Sequence, residues 1–150
     1  MPRRMKGFFK PLYPQKYKGD PTRIVYRSSW ELKLMRYLDK HPDIIEWGSE
    51  EIVVPYISPI DNKPHRYYPD FIIKKRNYKT GKIEVEMVEV KPSRQCKPPQ
   101  LQKKPTRRYI SEVYEWERNR AKWNAAYQYC QNRDWKFSVF TEKELGILNV

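Results

Sequence analysis

Glycine is scarce in this chain: there are five in 150 residues, and they form no G-x-x-x-x-G-K or G-x-G-x-x-G loop able to cradle the phosphates of a nucleotide cofactor. Cysteine is scarcer still. Cys96 and Cys130 show no C-x-x-C spacing, which speaks against a zinc ribbon and a disulfide framework and for reduced thiols. No apolar run approaches the ~18 residues of a membrane span, and the basic N-terminus has no apolar signal-peptide segment. A soluble, cytosolic protein is the expectation. No Ser/His/Asp or Cys/His arrangement suggests a side-chain nucleophile, and the histidines are two.

What is plentiful is positive charge, and it is segregated. Residues 1–27 carry eight Lys/Arg against the single acid Asp20, and residues 92–108 carry six against none. The other 17 basic and 17 acidic residues cancel, so the whole formal excess of +13 lies in two proline-rich segments. A neutral body with two basic flanks fits a polyanion partner, because Lys/Arg on phosphates release counterions. Solubility alone would not sort the charge this way. Arg3, Arg4 and Lys6 in the first segment, and Arg94, Lys97, Lys103, Lys104, Arg107 and Arg108 in the second, are the candidate nucleic-acid contacts. Residues 1–20 read as an extended arm that orders on a partner, with Phe8, Phe9, Tyr13 and Tyr17 more suited to docking on the domain than to stacking on bases.

With 22 aromatic residues (Trp 5, Tyr 12, Phe 5), the body is long enough to bury a core as one domain. A helix is expected from the Ser28-Ser29 cap to about Lys40. Glu31 sits in its first turn. Spacing leaves it equally suited to face the core beside Leu34, Met35 and Leu38 or to face solvent as a dipole-favoured glutamate. Short strands follow at Ile44–Trp47 and Glu51–Ile57, then strands over His65–Lys74 and Lys82–Lys91 with turn residues between them. Those two strands make a hairpin that sets Asp70 beside Glu89. Alternation puts Ile83, Val85, Met87, Glu89 and Lys91 on the core face and leaves Glu84 and Glu86 solvated. A long helix is expected from a Ser111 cap to about Asn132, burying Val113, Trp116, Trp123, Tyr127 and Cys130. A strand over Trp135–Phe140 and a Thr141/Glu144 capping box complete the chain. Glu50 and Glu51 read as an acidic surface turn, and His65 as structural or phosphate-contacting.

Two carboxylates held together suit a hard divalent cation such as Mg²⁺ and a water. Asp70 and Glu89 are the candidate ligands, with the Val90 carbonyl as a third, and Lys91 is placed to orient the water or stabilise phosphate charge. Glu31 is suited to a metal-bound water or a second ion.

Pro69-Asp70, then Glu89-Val90-Lys91, preceded by a helix offering Glu31, resembles the PD-(D/E)XK nuclease superfamily, which includes restriction endonucleases and the endonuclease subunit of a Tn7-type transposase. The resemblance implies an α/β, restriction-endonuclease-like core, a mixed central β-sheet flanked by helices, and it covers roughly residues 28–140. Chain length, the basic arm and Tyr26-Arg27-Ser28-Ser29-Trp30-Glu31 further resemble the head-completion nucleases of T-even-like tailed bacteriophages. The implied organisation is a basic arm over residues 1–27 and one nuclease domain over 28–150 with a basic loop at 92–108. The implied activity is Mg²⁺-dependent cleavage of DNA, with Mn²⁺ able to substitute. The implied catalytic residues are Glu31, Asp70, Glu89 and Lys91. Capsid or portal-vertex proteins are the implied partners, and the host cytoplasm or the virion the implied location. The glutamine or tyrosine that some branches carry after the lysine has no clear counterpart; Gln95, Gln102 and Tyr114 are the nearest. The alternatives are a DNA-binding head or neck protein without chemistry and, less well supported, an RNA-binding protein.

Overall fold

The computed structural model describes residues 4–146. Strand β1 (Arg4–Phe9) pairs antiparallel with β2 (Ile24–Ser28), and helix α1 (Ser29–Lys40) follows at once. Then come β3 (Ile44–Ser49), β4 (Val54–Ile57), β5 (Pro64–Tyr67), β6 (Phe71–Arg76) and β7 (Ile83–Val90). Helix α2 (Arg107–Gln131), β8 (Lys136–Phe140) and α3 (Glu142–Gly146) complete the order. The central sheet runs β3-β6-β7-β8, antiparallel except for the β7–β8 pair. Antiparallel neighbours need only a turn, whereas the parallel pair requires a crossover, and α2 supplies it. The result is a mixed α/β sheet flanked by helices. No helix among the described residues is long and apolar enough to cross a membrane.

Both faces of the sheet are covered. On one side α1 and the β1–β2 ladder bury Leu34, Leu38, Trp47, Phe71, Ile73 and Val88. On the other, α2 and the β4–β5 ladder bury Val54, Tyr67, Ile72, Met87, Ala126 and Cys130. Two-sided burial explains the unbroken Phe71-Ile72-Ile73 run. It also corrects the alternation argument for β7. Ile83, at the strand's outer end, is exposed, whereas Glu86 is buried beneath the α1-side layer. Lys75 Nζ donates to Glu86 at 2.8 Å and the Ser138 hydroxyl donates to its other oxygen, which makes that burial tolerable.

Three further expectations shift. The expected His65–Lys74 strand is two strands, because the chain breaks at Tyr68-Pro69-Asp70 before β6 begins. Helix α2 is capped five residues earlier than expected, with the Thr106 hydroxyl accepting from Tyr109 N at 3.1 Å, so Arg107 and Arg108 lie in its first turn and not in a loop. Asn119, Ala126 and Cys130 form its buried stripe, and Tyr127 is half exposed.

The N-terminal segment is laid against the body. Phe9 and Tyr17 enter the α1-side core edge-on to Trp47, with ring centroids at 5.9 and 4.8 Å. Buried Asp39 accepts from Leu12 N at 2.7 Å and Tyr13 N at 3.0 Å, and Lys16 Nζ reaches the carbonyls of Asp39 and His41. Arg3 and the side chain of Arg4 lie outside the described residues.

Candidate active site

The β6–β7 register pairs Ile72 with Met87 and Phe71 with Val88, so the next step outward brings Asp70 opposite Glu89. Asp70 lies in the break that Pro69 creates and is therefore free of a strand's side-chain alternation. Its Oδ2 turns across to accept from Val90 N at 2.8 Å. Burial, then the charge of Glu89, holds the Asp70 carboxyl well above the usual carboxylate range. Lys91 Nζ lies 3.8 Å from Glu89 Oε2. Asp70, Glu89 and Lys91 thus meet at the end of the sheet where β3 and β7 finish and β6 starts.

Glu89 Oε1, the Tyr67 hydroxyl and Trp123 Nε1 are buried together at this end without a well-aligned hydrogen bond, the hydroxyl lying within reach of both the carboxylate and the indole. The Tyr67 hydroxyl is pushed up by burial and then by the Glu89 carboxylate. A buried carboxylate whose nearest donors are poorly aligned stays under-solvated unless a cation or a water meets it. Together with the forced approach of Asp70, this hard-oxygen set suits a divalent cation such as Mg²⁺. Among the described residues no group of three or more His, Cys, Asp or Glu side chains is arranged to hold a metal ion, so the acidic set is a pair.

Glu31 stands beside that pair and already has a structural task. Ser28 Oγ accepts from Glu31 N at 3.1 Å, while Glu31 Oε1 accepts from Arg27 N at 3.3 Å, one residue before the cap: a variant of the capping box at the start of α1. Burial pushes the Glu31 carboxyl up, and its charge adds to the upward shift of Asp70. It therefore caps the helix and contributes to the acidic field. Two further neighbours are Glu50, exposed as the reading of an acidic surface turn expects, and Arg27, to which the sequence reading gave no role at the site. Arg27 NH1 donates to Glu50 Oε2 at 2.7 Å, and Glu50, held at φ 55°, donates its N–H to the Asp70 carbonyl. Nothing in residue type marks Arg27; the juxtaposition is purely tertiary. Glu51 accepts from the Tyr17 hydroxyl at 3.0 Å, and His65 pairs with Asp61 at 2.8 Å away from the carboxylates.

The basic segment leaves Lys91 directly. Ser93–Cys96 form a 3-10 turn, tied to α3 where Ser93 N donates to Glu142 Oε2 at 3.1 Å. Arg94, Lys97, Lys103, Lys104, Arg107, Arg108 and, on β1, Lys6 are all exposed. Gln95 and Gln102 line a cleft between this segment and α2, and Tyr114 faces solvent.

Residues 41–142 match the family model described as TnsA-like endonuclease N terminal, a span that includes Asp70, Glu89 and Lys91 but begins after Glu31. The chain is also 36% identical over 146 residues to the head completion nuclease of Enterobacteria phage T4, covering 95% of this chain and 94% of that one.

Proposed function

The chain belongs to the TnsA-like endonuclease N-terminal family, and from that premise we propose that it cuts DNA phosphodiester bonds at the Asp70–Glu89 pair. It is a nuclease resembling the phage T4 head completion nuclease. Asp70 and Glu89 would hold a Mg²⁺ ion, with the Val90 carbonyl as a main-chain ligand, and Mn²⁺ would substitute. Bound there, the ion would supply a polarised water and neutralise charge on the reacting phosphate. The ammonium of Lys91 orients the water and offsets phosphate charge, and Glu31 fixes α1 and accepts from water at the edge of the site. The observation that supports this reading most is the buried, facing pair of Asp70 and Glu89 at the open end of the sheet, with Glu89 Oε1 lacking a well-aligned donor.

The basic residues after Lys91 track the phosphate backbone, and Arg3, Arg4 and Lys6 extend the track from the N-terminal segment. In this reading residues 28–150 are the nuclease domain and residues 1–27 its basic flank. The same reading places the protein at filled capsids, in the host cytoplasm or the virion, with capsid or portal-vertex proteins as partners.

The test is cleavage of supercoiled plasmid by wild type, Asp70→Ala and Glu89→Gln in Mg²⁺ and in EDTA. Nicking or linearisation that needs both carboxylates and the metal is expected. Cutting at the wild-type rate by either variant would refute the site, and DNA binding without cutting under any metal would leave a structural head or neck protein.

A further inference from the structure

A cleft of about 970 Å³ opens between the segment that follows Lys91 and the middle of α2. That is near the upper end for ligand clefts, roughly 300–1,000 Å³. Ser93, two residues after Lys91, is among its lining residues, which puts the cleft next to the carboxylate end of the sheet. Arg94 and Lys97 line one wall and make no ion pair or hydrogen bond among the described residues. The opposite wall holds two carboxylates that are already neutralised: Glu112 by Arg108 at 3.1 Å and Glu115 by Arg118 at 2.8 Å.

Two residues of α2 give the cleft its character. Trp116 lines it, with its ring fixed edge-to-face on Trp123 (centroids 6.4 Å apart, planes at 86°). Asn119 also lines it, is only 3% exposed, and finds no hydrogen-bond partner for its side chain among the described residues. A buried amide that offers both donor and acceptor needs a complementary edge, and a nucleobase has one. An aromatic ring beside that amide, with unpaired cations at the rim, is the combination that grips single strands: stacking for the base, charge for the phosphate. A paired base cannot use it, since its faces are covered by neighbours in the stack.

We propose that this cleft binds one or two unpaired nucleotides of the DNA strand adjoining the cut, stacked on Trp116 and hydrogen-bonded by Asn119. The preferred substrates are then DNA ends, flaps or junctions with single-stranded character. The inference rests on the nuclease reading above for its place beside the cut, but its binding claim is separable from it.

The experiment uses the full-length chain in EDTA, where binding is read without cutting. A fluorescein-labelled 12-nucleotide single strand and a 12-base-pair hairpin of the same sequence are titrated by anisotropy at one salt concentration. Trp116→Leu fills the site without an aromatic face, whereas Trp116→Phe keeps one. Trp116→Leu should lower the single-strand to duplex affinity ratio about tenfold, the scale of one lost base–aromatic contact. Trp116→Phe should restore it to within about threefold, and Asn119→Leu should lower it on its own. Equal ratios for Trp116→Leu and Trp116→Phe, or equal losses on both DNAs, would overturn the proposal. Should Trp116→Leu fail to fold, the Asn119→Leu ratio decides. Failure of the plasmid test would refute the cutting site and leave this measurement intact.

Discussion

Replacing Asp70 with asparagine should inactivate the protein and at the same time stabilise it. Asparagine keeps the oxygen that accepts from Val90 N at 2.8 Å and removes one of two facing negative charges. Directly opposed positions on neighbouring strands have Cβ atoms ~5 Å apart, which sets the scale for two carboxylates reaching toward each other from the ends of β6 and β7. At an effective dielectric near 20, their repulsion is about 3 kcal/mol. Lys91, 3.8 Å from Glu89, offsets part of it, leaving roughly 1–2 kcal/mol. For a chain of this length that is a rise of about 3–8 °C in Tm. The pH dependence follows from the sign of the shift. Asp70 is held above its unfolded value, so wild type has the full stability contribution below the ordinary carboxylate range, about pH 4, and loses it as pH rises through the elevated folded value. The stability gap between Asp70→Asn and wild type in EDTA should therefore be near zero at about pH 4 and open toward pH 8. Thermal unfolding by circular dichroism across that range is the assay. A variant as stable as wild type, or less stable, at pH 8 would refute the like-charge account. Mg²⁺ should close the gap by stabilising wild type alone, by RT ln(1 + [L]/Kd).

Glu31→Gln separates the two tasks of that residue, since glutamine also completes a capping box. Its Tm should stay within about 2 °C of wild type, a cap change of under ~0.5 kcal/mol, while plasmid nicking falls about tenfold or more; unchanged nicking would leave Glu31 a cap only. Asp39→Ala strands the Leu12 and Tyr13 amides and should cost about 2–4 kcal/mol, read as a lowered urea midpoint at unchanged slope. Lys103→Gln with Lys104→Gln should reduce the slope of log affinity against log salt by nearly 2 on duplex DNA, and an unaltered slope would remove both from the phosphate track.

Much of the site is written in local chemistry. Pro69-Asp70 entering an apolar run, and Glu89-x-Lys91 ending one, place the acidic pair because a hairpin is a short-range structure with one sensible register. The Ser28 cap and the Thr141–Glu144 box, in which Thr141 N donates to Glu144 Oε2 at 2.8 Å, are equally local. What misled was chemistry that tertiary context overrode. Glu86 looks solvated by alternation, and only the second layer over the sheet, with Lys75 and Ser138, buries it. Arg107 and Arg108 oppose a helix N-terminus electrostatically, which hides the Thr106 start. The approach of Arg27, Glu50 and Glu31 to Asp70 comes from three separated segments, and no periodicity encodes it.

The seating of the N-terminal segment on Asp39 changes what binding DNA demands of this chain. A free basic arm forfeits on the order of 1–2 kcal/mol of backbone entropy for every residue it orders on a partner. Here Leu12, Tyr13, Lys16 and Tyr17 are already held by the body, so that ordering is done during folding. On the proposed reading, the charges of its described residues would meet a phosphate backbone as part of a fixed surface, and association would draw on electrostatics without first having to quieten a disordered tail.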